Sequence, residues 1–167
     1  MFREMRRKNQ LLPEADAIRI LEKGTSGVLA VLGDEGYPYA VPLSYVYCDA
    51  KIYFHCAKSG HKLDAVKRCD KVSFCVTDQD RIVPEEYTTY FRSVIAFGKA
   101  RILEDDAEKR SAIEKLAAKY SPEFKEGREQ EIDKTFNAVC MVEISVEHMT
   151  GKEAIELVRE KQKKPQE

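Results

Sequence analysis

The stretch GYPYAVPLSYVYCDAKIYFHCAKSGHKLDAV, Gly36 to Val66, changes character twice. YPYAVPLSYVY is rich in Tyr and Val, CDAK is a turn, and IYFHCA is apolar again. Such runs, broken by Gly and Asp at hairpin spacing, predict antiparallel strands. HKLDAVKRC then switches to helical spacing, with Leu63 and Val66 inward. Pro38 and Pro42 stand four apart, so their missing N–H groups face the same edge of one strand. That edge cannot complete a regular ladder. The strand is a gap in a barrel, a true sheet edge, or a place where something else lies against the backbone.

Upstream, LPEADAIRILEKG predicts a helix from about Pro13, with Ala15, Ala17, Ile18 and Leu21 inward and Gly24 as its stop. GVLAVL is a strand, followed by the turn GDEG. Downstream, KVSFCVT is a strand and DQDRIVPEE a loop. YTTYFRSVIAFGKARILE is a strand pair or one bent strand, kinked or bulged at Gly98. DDAEKRSAIEKLAAKYSP is a helix capped by Asp105 or Asp106, with Ile113, Leu116 and Ala117 inward and Pro122 at its end. EFKEGREQEIDKTF is helix plus loop. In AVCMVEISVEHMTG, Val142, Ile144 and Val146 alternate with Glu143, Ser145 and Glu147. KEAIELVREKQKK is an amphipathic terminal helix. Strands joined mostly by hairpins, with helices inserted late, predict a mainly β fold with peripheral helices: an antiparallel barrel or sandwich, not a doubly wound sheet.

The 167 residues read as one domain over 1–167, with a core at about 13–150, a basic N-terminal arm and a C-terminal helix. With 28 basic against 29 acidic residues, the net charge of −1 gives no electrostatic reason for nucleic-acid or membrane binding. The basic clusters at both ends, Arg3 to Lys8 and REKQKKPQE, read as solvated tails. No apolar run approaches a membrane span, and no apolar segment follows the basic N-terminus as in a secretion signal. Five cysteines without a CxxC pair predict reduced thiols, a cytoplasmic location and no metal site.

Ser59, Gly60, His61 and Lys62 sit where a strand meets a helix. A helix N-terminus presents unpaired N–H groups and the positive end of a dipole, so it suits a phosphate. The four residues also fit a plain serine cap followed by a solvated lysine. His55, flanked by apolar neighbours, reads as a core histidine.

In register, GYPYAVPLSYVY, IYFHCAKSGHKLD, VSFCV and YFRSVIAFGKARIL resemble the pyridoxamine 5'-phosphate oxidase-like FMN-binding split barrels, and among them the nitroimidazole-resistance branch. The resemblance spans Gly24 to about Leu103, and the later helix and strand fit it. It implies a homodimer holding two FMN molecules at the subunit interface. The phosphate would sit at Ser59, His61 and Lys62. Backbone of Pro42, Leu43, Ser44 and Tyr45, with His55, Cys56 and Ala57, would line the ring. Arg92 and Ser93 would reach across the dimer. The chain departs from true pyridoxamine-phosphate oxidases in carrying GHK where they have an Arg–Lys pair, and in lacking their C-terminal Arg-and-Trp segment.

The implied activity is FMN-dependent reduction of a small aromatic or nitroaromatic substrate, with electrons from NADH, NADPH or a flavin reductase. His61 is the candidate proton donor, and Tyr45, Tyr87, Tyr90 and Phe91 are candidate pocket walls. The alternatives are a flavin- or haem-binding dimeric module without turnover, with His61 or His148 as axial ligand, and a dimer that binds nothing.

Overall fold

The structure, a computed structural model, describes residues 1–163; the end of the closing basic segment, 164–167, lies outside it. Seven strands form one sheet: β1 (Gly27–Leu32), β2 (Pro38–Leu43), β3 (Val46–Cys48), β4 (Lys51–Ala57), β5 (Lys71–Val83), β6 (Thr88–Ile102) and β7 (Val139–Glu153). Their order is β2-β1-β5-β6-β7-β4-β3, and every pairing is antiparallel. Among the described residues, five α-helices surround it: α1 (Glu14–Lys23), α2 (His61–Arg68), α3 (Asp106–Tyr120), α4 (Lys125–Thr135) and α5 (Ile155–Lys163).

The two end strands, β2 and β3, are consecutive in the chain. Tyr39, Val41 and Leu43 of β2 and Tyr47 of β3 pack against the same buried cluster as Leu29, Phe54, Phe74, Val94 and Ile144 of the strands between them. The sheet therefore curls into a barrel that is split along one seam. Only Ser44 and Tyr45 join its two sides, so YPYAVPLSYVY is two strands and not one. At the far end of β2, Gly33 donates its N–H to Tyr37 O at 2.8 Å. That pair sets the ladder's parity: Tyr39, Val41 and Leu43 bond to β1, whereas Pro38, Ala40 and Pro42 turn outward. The two prolines thus mark a true edge.

α1 seals one end of the barrel with Ala17, Ile20 and Leu21; Ile18 is half-buried and Ala15 is exposed, contrary to the expected face. Gly24 allows close packing there, since a Cβ would lie 2.6 Å from Tyr45 Oη. α3 and α4 cover the outer face of β3, β4 and β7 through Ile113, Leu116, Ile132, Tyr53 and Met141. Asp105 caps α3, its carboxylate accepting from Glu108 N–H at 2.9 Å.

Three further expectations change. DQDRIVPEE is no loop: β5 runs to Val83, with a bulge between Thr77 and Gln79, and only Pro84–Glu86 turns. β7 runs to Glu153, so the terminal helix starts at Ile155. Glu143 is buried, because its side of β7 lies under α3, where Arg101 and Lys51 bind it at 2.9 and 3.0 Å. The bulge at Gly98 is present: Phe97 pairs with His148 but Gly98 with Val146. A Cβ on Gly98 would stand 2.2 Å from Ser145 O.

A candidate cofactor site at the barrel seam

The seam meets the C-terminal end of β4 and the α3–α4 turn at a cleft of about 490 Å³. Ser44 and His55 open onto it, with Tyr120, Phe124 and Arg128 opposite. Strand alternation sets these positions. Phe54 and Cys56 point into the barrel, so His55 and Ala57 point out and are exposed. His55 is therefore not a core histidine.

Tyr120 ties the seam. Its hydroxyl accepts from Tyr45 N–H at 2.9 Å and lies 2.5 Å from Thr25 O and 3.0 Å from Tyr45 O. Arg128 Nη1 donates to Ser121 O and Pro122 O, fixing the turn that carries Phe124. Tyr120, Phe124 and Arg128 were not singled out in the sequence. The only signal was Pro122, which folds α4 back beside α3.

Tyr45 presents backbone to the seam and not its ring. Its side chain is fully buried, its hydroxyl donates to Leu21 O at 2.7 Å, and burial raises its pKa well above that of a free tyrosine. Leu43 and Cys56 likewise turn inward, while Pro42 and Ser44 are exposed. The other proposed walls stand elsewhere. Tyr87 is exposed at the β5–β6 turn, Tyr90 is buried against Leu157 of α5, and Phe91 packs with them.

The strand-to-helix junction follows His55 by four residues. Gly60, not Ser59, is the N-cap of α2, and no side chain caps the helix. Gly60 has φ +130° and ψ 164°, a region open essentially to glycine alone. Its carbonyl accepts from both Leu63 and Asp64 N–H. The first-turn N–H groups of His61 and Lys62 lack intrahelical partners by helix geometry. A Cβ at Gly60 would meet nothing within 4 Å, so the space beside the N-cap is open. Ser59 is exposed and Lys62 half-exposed beside it. This donor set fits a phosphate.

His61 faces away from the cleft. Its ring stacks on Tyr39 at 4.1 Å, and its Nε2 accepts from Asp34 N–H at 3.3 Å, closing the β1–β2 turn onto α2. Arg92 and Ser93 lie apart from the other predicted residues. Arg92 pairs with Asp78 at 3.0 Å and Glu153 at 3.4 Å. It stands opposite Gln79, whereas α2 enters β5 at Lys71. Those eight residues of β5 cover about 27 Å of strand at ~3.4 Å per residue.

The described residues hold no group of three or more metal-ligating side chains and no helix long and apolar enough to cross a membrane.

A family model described as pyridoxamine 5'-phosphate oxidase matches residues 13–153. Curated proteins give no match. Among solved structures, Rv2991 of Mycobacterium tuberculosis superposes with TM-score 0.79 at 19% identity, covering 98% of this chain and 96% of that one. A protein provisionally described as a 5-nitroimidazole antibiotic resistance protein, from Bacteroides thetaiotaomicron, gives 0.72 at 22%, covering 85% of each chain. The FAD and haem binding protein of Mycobacterium smegmatis gives 0.72 at 18%, covering 87% of this chain and 73% of that one. At such identities the likeness establishes the fold, a split β-barrel.

Proposed function

The chain belongs to the pyridoxamine 5'-phosphate oxidase family, and from that premise we propose that it is an FMN-dependent oxidoreductase acting on a small aromatic or nitroaromatic compound. The observation that carries this reading is one strand serving two needs. β4 delivers His55 to an apolar-walled cleft and, four residues later, opens a cationic helix N-terminus. Four extended residues span at most about 14 Å. That suits a ligand with a flat ring at one end and a phosphate at the other.

Lys62 and the first-turn N–H groups of α2 would bind the phosphate, with Ser59 beside them. Pro42 and Ser44, on the strand edge without a full ladder, and His55 with Ala57 would flank the ring. Bound FMN supplies two-electron exchange between a nicotinamide or reductase donor and the acceptor. His55, exposed in the cleft, is better placed than His61 to hand a proton to an acceptor there, because His61 is engaged by Asp34 and Tyr39. The five free cysteines fit work in a reducing cytoplasm.

A homodimer accounts for Arg92 and Ser93. Arg92 lines a hollow other than the cleft of Ser44 and His55, and it and Ser93 would reach that cleft when supplied by a second copy. The outer face of β1 and β6 exposes Val28, Leu32, Ile95 and Phe97. An apolar strip of this kind suits an interface on the order of 2,000 Å².

The haem reading is weaker, since His61 is engaged and His148 is stacked on Phe2 at 4.8 Å. The test is anaerobic reoxidation of chemically reduced flavoprotein. We expect a nitroaromatic or quinone to reoxidise it faster than free reduced FMN, and His55→Ala to slow that step. Equal rates for protein and free flavin would leave a binding module without turnover.

A further inference from the structure

Cys56 and Cys140 are directly opposed on β4 and β7. Val146 N–H donates to Ala50 O at 3.0 Å, and the same register carried along the strands makes Cys56–Cys140 a hydrogen-bonded pair. Such pairs have Cα atoms about 5.5 Å apart, within the usual range for a disulfide. Directly opposed side chains share a face, and Cys56 and Cys140 both belong to the cluster inside the barrel.

The two thiols differ in access. Cys56 is buried in the barrel core, whereas Cys140 is half-buried and lines a cleft of about 310 Å³. Lys58, Lys67 and Lys109 line the same cleft, against one acid, Glu104. Reactive cysteines occupy such electropositive, partly exposed positions.

We propose that Cys140 and Cys56 form a reversible cross-strand disulfide when the protein meets a hydroperoxide, with Cys140 attacking first and Cys56 resolving. The Cys140 thiolate attacks the peroxide O–O bond, giving a sulfenic acid and releasing hydroxide or alkoxide. The Cys56 thiol then displaces the sulfenic oxygen as water and closes the S–S bond. Two thiols lose two electrons, and the peroxide takes them. Burial pushes the Cys56 thiol up to about 11, so Cys56 is the poorer nucleophile toward the peroxide and Cys140 attacks first. The link would tie β4 to β7 between His55 and the α2 junction, whatever ligand binds there.

The test is tryptic mapping of the intact protein after stoichiometric hydrogen peroxide, without reductant. The expected product joins Ile52–Lys58 to Thr135–Lys152, lighter than the two peptides by two hydrogens and restored by a thiol reductant. In Cys56→Ala, a 1,3-dione should trap sulfenic acid at Cys140; in Cys140→Ser, Cys56 should stay a free thiol. Linkage of Cys140 to Cys48, Cys69 or Cys75, or its conversion to sulfinic acid in the wild type without any link, would overturn the proposal. So would dione labelling of other cysteines but not Cys140 in Cys56→Ala.

Discussion

Replacing Gly60 with alanine tests the geometry on which the phosphate seat rests. At φ +130° and ψ 164° an L-residue is strained. The added methyl would meet no atom within 4 Å, so no clash contributes and the cost is torsional. Backbone strain of this kind costs about 1–3 kcal/mol. For a domain of this size each kcal/mol lowers Tm by roughly 2–4 °C, so Gly60→Ala should melt about 2–12 °C below the wild type. Gly127→Ala is the matched control. Gly127 lies in α4, exposed and equally unobstructed, and alanine there should add about 1 kcal/mol of helix propensity. Both variants are read by thermal melts followed by circular dichroism. Opposite shifts are expected. A Gly60→Ala variant as stable as the wild type would mean that α2 does not begin in this conformation, and the seat would lose its physical basis.

Glu143 should govern acid stability. Burial alone would raise its carboxyl pKa, but hydrogen bonds from Arg101 and Lys51 outweigh this and hold it below the usual 4.5. Its contribution is therefore complete above the unfolded pKa and is lost as pH falls below about 4.5 through the folded value. Glu143→Gln should cost about 1–3 kcal/mol at neutral pH and flatten the loss of Tm between neutral and acid pH; an unchanged acid slope would contradict this. Tyr120→Phe removes the hydroxyl that ties the seam and should cost about 1–2 kcal/mol. It should also speed hydrogen exchange at the Tyr45 amide more than at Phe54; equal protection at Tyr45 would show that the tie is not made.

The parts of the fold visible in the sequence are those fixed by local chemistry. Asp105 caps α3 because a carboxylate can reach Glu108 N–H, Gly98 sits at a bulge where no Cβ fits, and the two prolines lie on a sheet edge. What stayed hidden depends on tertiary neighbours. Asp78, Asp80 and Arg81 resemble a loop because the extension of β5 is solvated, yet it pairs with β6 out to Val83–Thr88, where Arg81 stacks over Tyr90 and Arg92 pairs with Asp78. Glu143 resembles a surface residue until α3 covers it. His55 sits among apolar neighbours, but strand parity turns it outward. His61 and Lys62 are adjacent in sequence, yet the stack on Tyr39 takes the imidazole out of the cleft. The seam at Ser44 and Tyr45 carries no local break signal, because it is made by Tyr120, 75 positions away.

In the proposed site, the N-terminus of α2 holds the phosphate of a flavin mononucleotide. Fluorescence titration of the protein with FMN and with riboflavin, repeated on Lys62→Ala, tests it most directly, since the two ligands differ only in the phosphate. A charge-assisted contact is worth roughly 1.5–3 kcal/mol. FMN should therefore bind the wild type more tightly than riboflavin, and Lys62→Ala should weaken FMN by about 10–100-fold while leaving riboflavin nearly unchanged. Equal affinities of the wild type for both ligands, or an equal loss for both in the variant, would mean that α2 holds no phosphate.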